Sequence, residues 1–369
     1  MTNRIVVFGA TGYTGGLVID ALVRRGIRPV LAGRGTERLA RLAEGFGGLE
    51  YRVADVSDPA SVRALVDAGD VLVTTVGPFE QFGHPVAQAA VDAGAHYVDS
   101  TGEVGFVRTL RERHDARARE AGAVIAPAFG YDYVPGVLAG ALAARAGGSA
   151  VRAIEVGYFA IGSLRNGLSQ GTRKTMAEGL ILPAPVWRHG QLVDETTARQ
   201  VREFPVRTTR KKAFLVSGTE VLFLPSQLPR LDSVTVYNGW FPQLSRAIQL
   251  VSTLANTTAR LPYGRNLVEA LAARTVGDSG GPDTAERART LSHVVAVARA
   301  ASGEAVAEVH LEGPSPYSLT GELMAWAAHQ LASGAGITPG VVGPVDAFGL
   351  DELVTGCAGA GLVQVRLAG

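Results

Sequence analysis

The residues best suited to chemistry lie together near position 130. The run Gly130-Tyr131-Asp132-Tyr133 places one carboxyl group between two phenolic hydroxyls, just before a helix expected from about Pro135. A tyrosine hydroxyl can protonate a carbonyl, enolate or amine, and a buried aspartate of raised pKa can act as an acid. Glu103, after a neighbouring predicted strand, is a fourth catalytic candidate. In the alternative interpretation Asp132 caps the helix, and the tyrosines pack at a domain interface.

Three common kinds of catalytic site are missing from this sequence. No tyrosine is followed four positions later by the lysine that short-chain dehydrogenases use, since the lysines are Lys174, Lys211 and Lys212. The one cysteine, Cys357, is far from the mid-chain nucleophile of semialdehyde dehydrogenases, and we expect it to be a small buried apolar residue. No metal-ligand spacing such as His-Glu-x-x-His occurs, so we predict metal-free chemistry with no metal ligand.

The elements that would position these groups begin with a strand, a glycine turn and a helix. An apolar run ending at Phe8 precedes the turn, and apolar residues at helical spacing follow it. Gly9 would let the chain turn off the strand, Gly12 would let a pyrophosphate approach, and Gly15 would let the helix pack closely. The alternative is a tight turn without a ligand. The segment predicts a dinucleotide site at the helix N-terminus, made of Gly9, Thr11, Gly12, Tyr13, Thr14 and Gly15.

The second predicted strand ends in arginine. At this point of a dinucleotide-binding sheet an acidic residue bonds the 2′-hydroxyl of NAD, whereas an arginine accommodates the 2′-phosphate of NADP. Arg34 and Arg38 are present, and no carboxylate comes before Glu37. A guanidinium can hold a phosphate through two hydrogen bonds, so we favour NADP(H) over NAD(H). In the alternative interpretation both arginines are the solvated start of a helix.

Loops after the next three predicted strands supply further cofactor candidates, because ligands bind at the carboxyl ends of strands in doubly wound sheets. The strand at 49–56 brings Asp55, which would accept from the adenine amino group; alternatively Asp55 or Ser57 caps the next helix, near Pro59. Two roles stay open for His84, a ligand contact and a structural role. The later loops contribute Val76, Gly77, Pro78 and Thr101.

Composition sets the broad class of the protein. The chain has 369 residues, 47% of them hydrophobic and 19% charged, with a formal net charge of +1. This length favours two globular domains, and the small net charge gives no reason to expect a nucleic-acid partner. No apolar stretch is long enough for an integral membrane segment, and Met1 leads almost directly into the first strand without a signal peptide. We therefore expect a cytoplasmic protein.

The order of elements predicts the fold class. Six strands alternating with helices predict an α/β Rossmann domain, a doubly wound parallel sheet, over 1–148. Longer alternating strands follow, including 151–161, 185–193 and a hairpin around Ser302-Gly303. They predict a second, α+β domain with a mainly antiparallel sheet over 149–313, with a helix near 172–179. C-terminal helices at 314–369, the last at 348–358, are expected to return to the Rossmann domain.

Several of these motifs together resemble a known family. The family's usual Gly-Phe-Asp-Ser-x-Pro-Ser segment is Gly-Tyr-Asp-Tyr-Val-Pro-Gly at 130–136 here, a departure that leaves the family's substrate unassigned. The resemblance is to the saccharopine dehydrogenase-like (saccharopine reductase-like) oxidoreductases, and within them to the bacterial trans-acting enoyl reductase group. It implies an NAD(P)-binding Rossmann domain with a substrate or dimerisation domain. The matching motifs are Gly9 to Gly15, Ala32-Gly33-Arg34, Val76-Gly77-Pro78-Phe79, Tyr97 to Glu103 and Gly130 to Pro135.

These observations lead to one main hypothesis of function. The chain is expected to be an NADPH-dependent reductase of a C=C or C=N bond in a small-molecule, polyketide or lipid pathway. Two alternatives stay open: a cofactor-binding sensor or interaction protein without turnover, and an alcohol or amine dehydrogenase working in the oxidative direction. The substrate is expected to be a small molecule, free or bound to a carrier protein or coenzyme A. The basic segment from Arg207 to Lys212 is either a phosphate contact for such a carrier or a solvated hairpin tip, and a homodimer is left open.

Overall fold

The computed structural model describes residues 3–162, 183–259, 280–336 and 338–367. Contacts divide the chain into two compact units. The first consists of Met1–Val134 and Tyr317–Ala360, and the second of Pro135–Pro316 and Gly361–Gly369. The division therefore lies at the start of a helix that the sequence analysis assigned to the first domain. The helix expected near 172–179 lies outside the described residues.

Strands and helices alternate in the first part of the chain, and strands dominate the middle. The strands are β1 (Ile5–Phe8), β2 (Val30–Gly33), β3 (Tyr51–Val53), β4 (Val71–Thr74), β5 (His96–Asp99), β6 (Val124–Ala126), β7 (Ala153–Ile161), β8 (Pro183–Arg188), β9 (Gln191–Thr196), β10 (Val201–Val206), β11 (Thr209–Val216), β12 (Ser233–Asn238), β13 (Leu291–Arg299), β14 (Ala305–Gly313), β15 (Gly340–Val341) and β16 (Val363–Val365).

The described helices are named in chain order. They are α1 (Tyr13–Arg24), α2 (Thr36–Gly45), α3 (Pro59–Arg63), α4 (Phe79–Ala93), α5 (Val104–Glu120), α6 (Val134–Gly147), α7 (Glu220–Gln227), α8 (Ser245–Ala259), α9 (Thr284–Ala288), α10 (Pro316–Ala332), α11 (Pro344–Phe348) and α12 (Leu350–Gly359). Within the described ranges, none has the length and apolar character needed to cross a bilayer.

The first unit contains a parallel sheet of seven strands in the order β15-β6-β5-β4-β1-β2-β3. Every residue of β1, β2 and β4 is buried, as expected for the centre of a sheet covered on both faces. The predicted Rossmann-type sheet is confirmed, with two differences in detail. The third strand is confined to Tyr51–Val53, and β15 adds a seventh strand that was not predicted. Two residues are too few to show a period in the sequence.

The second unit contains a nine-stranded sheet. Its main path is β10-β11-β12-β7-β13-β14-β16, and β8 and β9 extend it from β12. Strands β7 and β12 pair in parallel, and the other pairs are antiparallel. The predicted mainly antiparallel α+β domain is confirmed, including the hairpin of β13 and β14. Its core includes the fully buried rings of Phe159, Phe204 and Tyr237.

Two single elements predicted from the sequence are each interrupted. The strand expected at 185–193 is the hairpin of β8 and β9, which turns at His189 and Gly190, both with positive φ. The helix expected at 348–358 is broken at Gly349, where φ is 81° and ψ is 153°. A glycine adopts these values at little cost, and they stop α11 before α12 begins.

Within the first unit, α10 packs closely on α1. A Cβ atom placed on Gly321 would lie 2.9 Å from Leu17 Cβ and 3.0 Å from the Leu17 carbonyl oxygen. The rings of Tyr13 and Tyr317 meet edge to face with centroids 5.5 Å apart, and Arg25 forms an ion pair of 2.6 Å with Glu322. Helix α10 therefore holds α1 in place.

This packing predicts the effect of adding one methyl group. Gly321→Ala should lower the free energy of unfolding by about 1–2 kcal/mol, because the methyl group meets the backbone of α1 and this overpacking outweighs the better helix propensity of alanine. Gly16→Ala on α1 is the matched control, since nothing lies within 4 Å of its Cβ position. The control should raise stability by about 0.5–1 kcal/mol. Urea unfolding of both variants tests this, and equal stabilisation by both would contradict the close packing.

Candidate functional site

The glycine turn after β1 closes through its own backbone. Gly9 has φ +90°, and its N–H donates to the Ala32 carbonyl at 3.0 Å. The N–H of Gly12 donates to the Gly9 carbonyl at 2.9 Å, and a Cβ on Gly15 would lie only 2.3 Å from that same oxygen. Glycine is therefore required at these two positions for different reasons. Gly9 adopts a backbone conformation in the left-handed region, and Gly15 allows α1 to begin directly against the turn.

The N-terminus of α1 has the features of an anion site. Gly12 is its N-cap and, as a glycine, has no side chain that could cap the helix, and the first turn has no acidic residue. Thr11 and Gly12 are exposed, while Tyr13 and Thr14 are partly exposed. The first N–H groups of a helix have no intrahelical partner, and they favour an anion together with the helix dipole. The turn therefore has the shape and polarity that a pyrophosphate requires.

Two arginines lie beyond β2, the neighbour of β1. The side chain of Arg34 is 73% exposed, and Arg38 is also exposed. The recorded ion-pair partner of Arg34 among the described residues is Asp55, with Nε and Oδ2 4.0 Å apart. Arg38 lies over the turn before α2, since a Cβ on Gly35 would be 3.2 Å from its Nε. Both guanidinium groups are accessible to an anionic group near the end of β2.

The residue that caps α3, the helix after β3, is neither of the two that the sequence suggested. Asp58, and neither Asp55 nor Ser57, is the N-cap of α3, where its carboxylate accepts from the N–H groups of Ala60 and Ser61. Asp55 Oδ1 instead accepts from the backbone N–H and the hydroxyl of Ser57 at 2.9 and 2.8 Å. These hydrogen bonds lower the pKa of Asp55. The sequence could not separate the three residues because each of them is a good capping residue.

The loop after β4 contacts the glycine turn. Thr75 Oγ1 donates to the Gly9 carbonyl at 3.3 Å, and a Cβ on Gly9 would lie 2.7 Å from that hydroxyl. Val76 and Pro78 are partly exposed, and Gly77 is exposed. The structure thus brings three predicted cofactor residues beside the turn, at the carboxyl edge of the sheet.

Two residues after β5 have structural contacts that sequence patterns did not reveal. The Glu103 carboxylate accepts from the N–H groups of Phe79 and Glu80 at 2.8 and 2.9 Å, and so caps α4. Thr101 is fully buried, and its hydroxyl accepts from the Glu103 N–H at 3.0 Å. Because both carboxylate oxygens of Glu103 are occupied, we leave it out of the proposed proton donors.

Asp99 is a residue that the sequence analysis did not single out. It is fully buried at the end of β5, and its Oδ1 accepts from the N–H groups of Thr101 and Ala128 at 2.9 and 2.8 Å. Burial raises its pKa to about 6, while these hydrogen bonds lower it. The fully buried Tyr97, two residues earlier on the same strand, lies beside it, and burial raises the Tyr97 pKa well above its usual value. Asp99 thus connects the loops that follow β5 and β6. An acidic residue ending a buried strand is the signal that could have identified it.

The loop at 130–133 is held from two sides within the first unit. The N–H of Tyr131 donates to Thr320 Oγ1 on α10 at 3.0 Å. The hydroxyl of Tyr133 donates to the Gly102 carbonyl at 2.9 Å, and both tyrosines are buried. A side chain on Gly130 would collide with Thr320, since a Cβ there would lie 2.9 Å from its methyl carbon. Contacts with α10 therefore determine the path of this loop.

Asp132 differs from its two neighbours. It is partly exposed, whereas Tyr131 and Tyr133 are 2% and 8% exposed. Burial of its carboxyl group raises the Asp132 pKa to about 6. The Asp132 pKa has no other recorded cause, so desolvation of the carboxylate dominates. A carboxyl group with this pKa is partly protonated near neutral pH and can donate a proton.

Three further residues that the sequence analysis considered, His84, Arg207 and Cys357, make contacts within the protein. The His84 ring packs on Phe106 with centroids 4.9 Å apart, inside α4. Arg207, at the turn between β10 and β11, forms two hydrogen bonds of 2.7 and 2.8 Å with Glu312. Cys357 is fully buried, which raises the pKa of its thiol, and it is the small apolar residue that was expected.

Comparison with protein families addresses the first domain. Residues 5–125 match the model of the saccharopine dehydrogenase NADP-binding domain. This part of the chain is similar to that domain family. The match spans β1 to β6 and includes the glycine turn, Arg34 and the loop after β4. It supports a nicotinamide dinucleotide as cofactor.

Known relatives agree with this assignment over a limited part of their length. Proteins named trans-acting enoyl reductase from Mycobacterium ulcerans (strain Agy99) and Mycobacterium tuberculosis (strain ATCC 25618 / H37Rv) are 37% identical to the chain over 138 and 137 residues. These alignments cover 36% of this chain and 33% of each relative, so the chain spans about a third of the length of the curated relatives that it matches.

The fold also resembles a solved structure over the whole chain. Apo saccharopine dehydrogenase (L-Glu forming) from Saccharomyces cerevisiae superposes with a TM-score of 0.62, covers 100% of both chains and is 13% identical. At this identity the likeness shows the fold alone. A parallel-sheet domain followed by a mainly antiparallel α+β domain thus occurs in a known fold.

The burial of Asp99 predicts a pH-dependent stability effect. Its folded pKa is raised from 3.8 to about 6, so its contribution is fully present below about pH 4 and is lost as pH rises through about 6. Asp99→Asn keeps an acceptor oxygen but cannot ionise, so this variant does not lose that stability as pH rises. The stability of the variant relative to wild type should therefore rise between about pH 4 and about pH 7, by at most about 3 kcal/mol.

Urea unfolding of the full chain at several pH values measures this difference. Asp58→Asn is the control, because Asp58 is exposed and asparagine is an equally good N-cap. A stability difference for Asp99→Asn that does not change with pH would show that Asp99 does not have a raised pKa.

Proposed function

We propose that this protein is an NADPH-dependent reductase that acts in the cytoplasm on a C=C or C=N bond of a small molecule in a polyketide or lipid pathway. The observation that carries the proposal is the N-terminus of α1 behind a glycine turn, where the N-cap is a glycine and the first turn has no acidic residue, with two exposed arginines beyond the neighbouring strand. The relatives named trans-acting enoyl reductase favour the C=C bond. The match to an NADP-binding domain supports a nicotinamide cofactor.

The residues present fit such a cofactor. The backbone N–H groups of Tyr13 and Thr14 would hold the pyrophosphate, which can approach them closely because Gly12 is exposed and has no Cβ. The loop of Val76, Gly77 and Pro78 contacts the glycine turn through Thr75 and would border the cofactor. When bound, NADPH supplies a hydride to the unsaturated substrate.

Arg34 and Arg38 would select the phosphorylated cofactor. Their guanidinium groups are exposed beyond β2, where the ribose of a dinucleotide lies in this fold. Asp55, 4.0 Å from Arg34, would help to orient the guanidinium and would contact the adenosine. An ion pair of this length leaves the guanidinium able to hydrogen-bond a phosphate.

Asp132 is the proposed proton donor for the atom next to the one that receives the hydride. It is partly exposed and its pKa is about 6, whereas Tyr133 donates its hydroxyl to Gly102. The two tyrosines and Thr320 would then position Asp132. Exclusion of water by these buried rings keeps the carboxyl group partly protonated near neutral pH.

The substrate of this reaction would be an unsaturated thioester or an imine. A thioester would be presented by coenzyme A or by a carrier protein, as a reductase that works in trans requires. The direct test is single-turnover oxidation of NADPH with a panel of enoyl-coenzyme A thioesters and cyclic imines. Oxidation of NADPH by at least one panel member supports the reductase, whereas tight NADPH binding without oxidation by any member would favour a cofactor-binding sensor.

The arginine assignment predicts a change in cofactor preference. Arg34→Ala should lower the ratio of NADPH to NADH affinity by about tenfold to a hundredfold, because a charge-assisted hydrogen bond contributes about 1.5–3 kcal/mol. The NADH affinity should stay within about twofold of wild type. Fluorescence titration of both cofactors measures the ratio. Arg41→Ala on α2, the helix that follows Arg34, is the matched control, and an equal change in both variants would refute the role of Arg34.

The proton-donor assignment predicts a pH-dependent rate. Wild-type turnover of the best panel substrate should fall as pH rises through about 6, since only protonated Asp132 can donate. Asp132→Asn should lower kcat by about a hundredfold or more, remove that limb of the profile and leave NADPH affinity unchanged. Tyr133→Phe is the comparison, because it removes only the hydroxyl bonded to Gly102. If Tyr133→Phe removed the limb and Asp132→Asn kept it, Tyr133 would be the donor.

A further inference from the structure

A basic groove lies within the second unit. It has a cavity volume of about 670 Å³ and lies between β10, β11 and the first turns of α8. Four cationic side chains line it, against one carboxylate, that of Glu203. The cationic side chains belong to Arg199, Arg202, Lys212 and Arg246.

The wall formed by α8 is fixed to the sheet by polar contacts. Ser245 Oγ donates to the Lys212 carbonyl at 3.3 Å, and Gln249 Nε2 donates to the Arg199 carbonyl at 2.8 Å. One turn further on, the buried Ser252 donates to the Thr197 carbonyl at 2.6 Å. These residues share one face of the helix, as spacings of four and three require. Arg246 and Gln249 are thereby held at the groove.

The charges in the groove are only partly balanced. Arg202 Nη2 lies 3.3 Å from the Glu155 carboxylate, and Lys212 Nζ lies 3.9 Å from Glu203. Arg199 and Arg246 are exposed, and within the described ranges no ion pair is recorded for either guanidinium. Two guanidinium groups thus line one cavity without an acidic partner. Such an arrangement attracts an anion because like charges that share a site repel each other.

We propose that this groove binds a phosphorylated small molecule, with Arg199 and Arg246 as its phosphate ligands. A guanidinium presents a planar pair of donors that matches two phosphate oxygens, and phosphate brings more charge than a carboxylate to a site with surplus cations. Cavities of a few hundred Å³ suit ligands of nucleotide size. An extended polyanion is disfavoured, since the whole chain has a net charge of only +1.

The groove also explains part of the basic segment seen in the sequence. Of the residues from Arg207 to Lys212, Arg207 is bound to Glu312 at the hairpin turn, and Lys212 lines the groove. Lys211, its neighbour on β11, is not among the lining residues. Lys211 therefore serves as the control position for a general effect of positive charge.

Calorimetric titration of the full chain tests the site. Inorganic pyrophosphate and coenzyme A are the soluble probes, and every groove variant keeps the glycine turn, so any binding at the turn is the same in all the proteins compared. Wild type and Lys211→Gln should bind with equal affinity, and the double variant Arg199→Gln with Arg246→Gln should bind about tenfold or more weakly. Higher salt should weaken wild-type binding. Arg199→Lys with Arg246→Lys keeps the charge and should retain an intermediate affinity.

Three outcomes would overturn the site. The first is the absence of saturable binding by wild type at millimolar probe, and the second is equal loss of affinity in Lys211→Gln and the glutamine double variant. The third is binding to phosphatidylserine vesicles without binding to either soluble probe, which would make the groove a membrane contact. Thermal unfolding by circular dichroism checks that each variant is folded. NADPH affinity, measured in parallel, reports on the reductase proposal separately, because the groove variants leave the first unit unaltered.

Discussion

The close approach of Gly15 to the Gly9 carbonyl is the constraint on which the first domain depends. A methyl group at Gly15 would lie 2.3 Å from that oxygen, so α1 can begin directly behind the turn only if this residue is glycine. The approach points the N-terminus of α1 to the edge where the neighbouring parallel strands end. Backbone N–H groups thus supply positive charge at that edge without a basic side chain, and the first 140 residues contain no lysine.

Hydrogen bonds between side chains and the backbone connect the loops along this edge to one another. Thr75 contacts the glycine turn, the Glu103 carboxylate caps α4, and the Tyr133 hydroxyl contacts Gly102. Thr320, almost two hundred residues further along the chain, accepts from Tyr131. Each contact orders a loop with a backbone group, so a substrate or cofactor would meet a surface that is largely preformed. Such preorganisation lowers the cost of orienting reactants.

Two aspartates near this edge have a pKa raised to about 6, and their surroundings give them different roles. Asp99 is fully buried and accepts two backbone hydrogen bonds, so its carboxyl group joins two loops. Asp132 is partly exposed, and desolvation is the one recorded cause of its shift. A raised pKa therefore does not identify a proton donor by itself. The two cases differ in exposure and in hydrogen bonding. Asp132 is partly exposed, whereas Asp99 is buried and accepts hydrogen bonds from two backbone N–H groups.

Local sequence determined the Rossmann-type sheet, the glycine turn and the hairpin of β13 and β14, because these depend on glycine positions and on periods within one segment. It did not reveal that Glu103 caps α4 or that Asp58 caps α3, since capping depends on which of several suitable carboxylates reaches the helix. Thr320, Asp99 and the groove of Arg199 and Arg246 became visible only in the tertiary structure. Their contacts join residues far apart in the chain, and no local pattern records such distances.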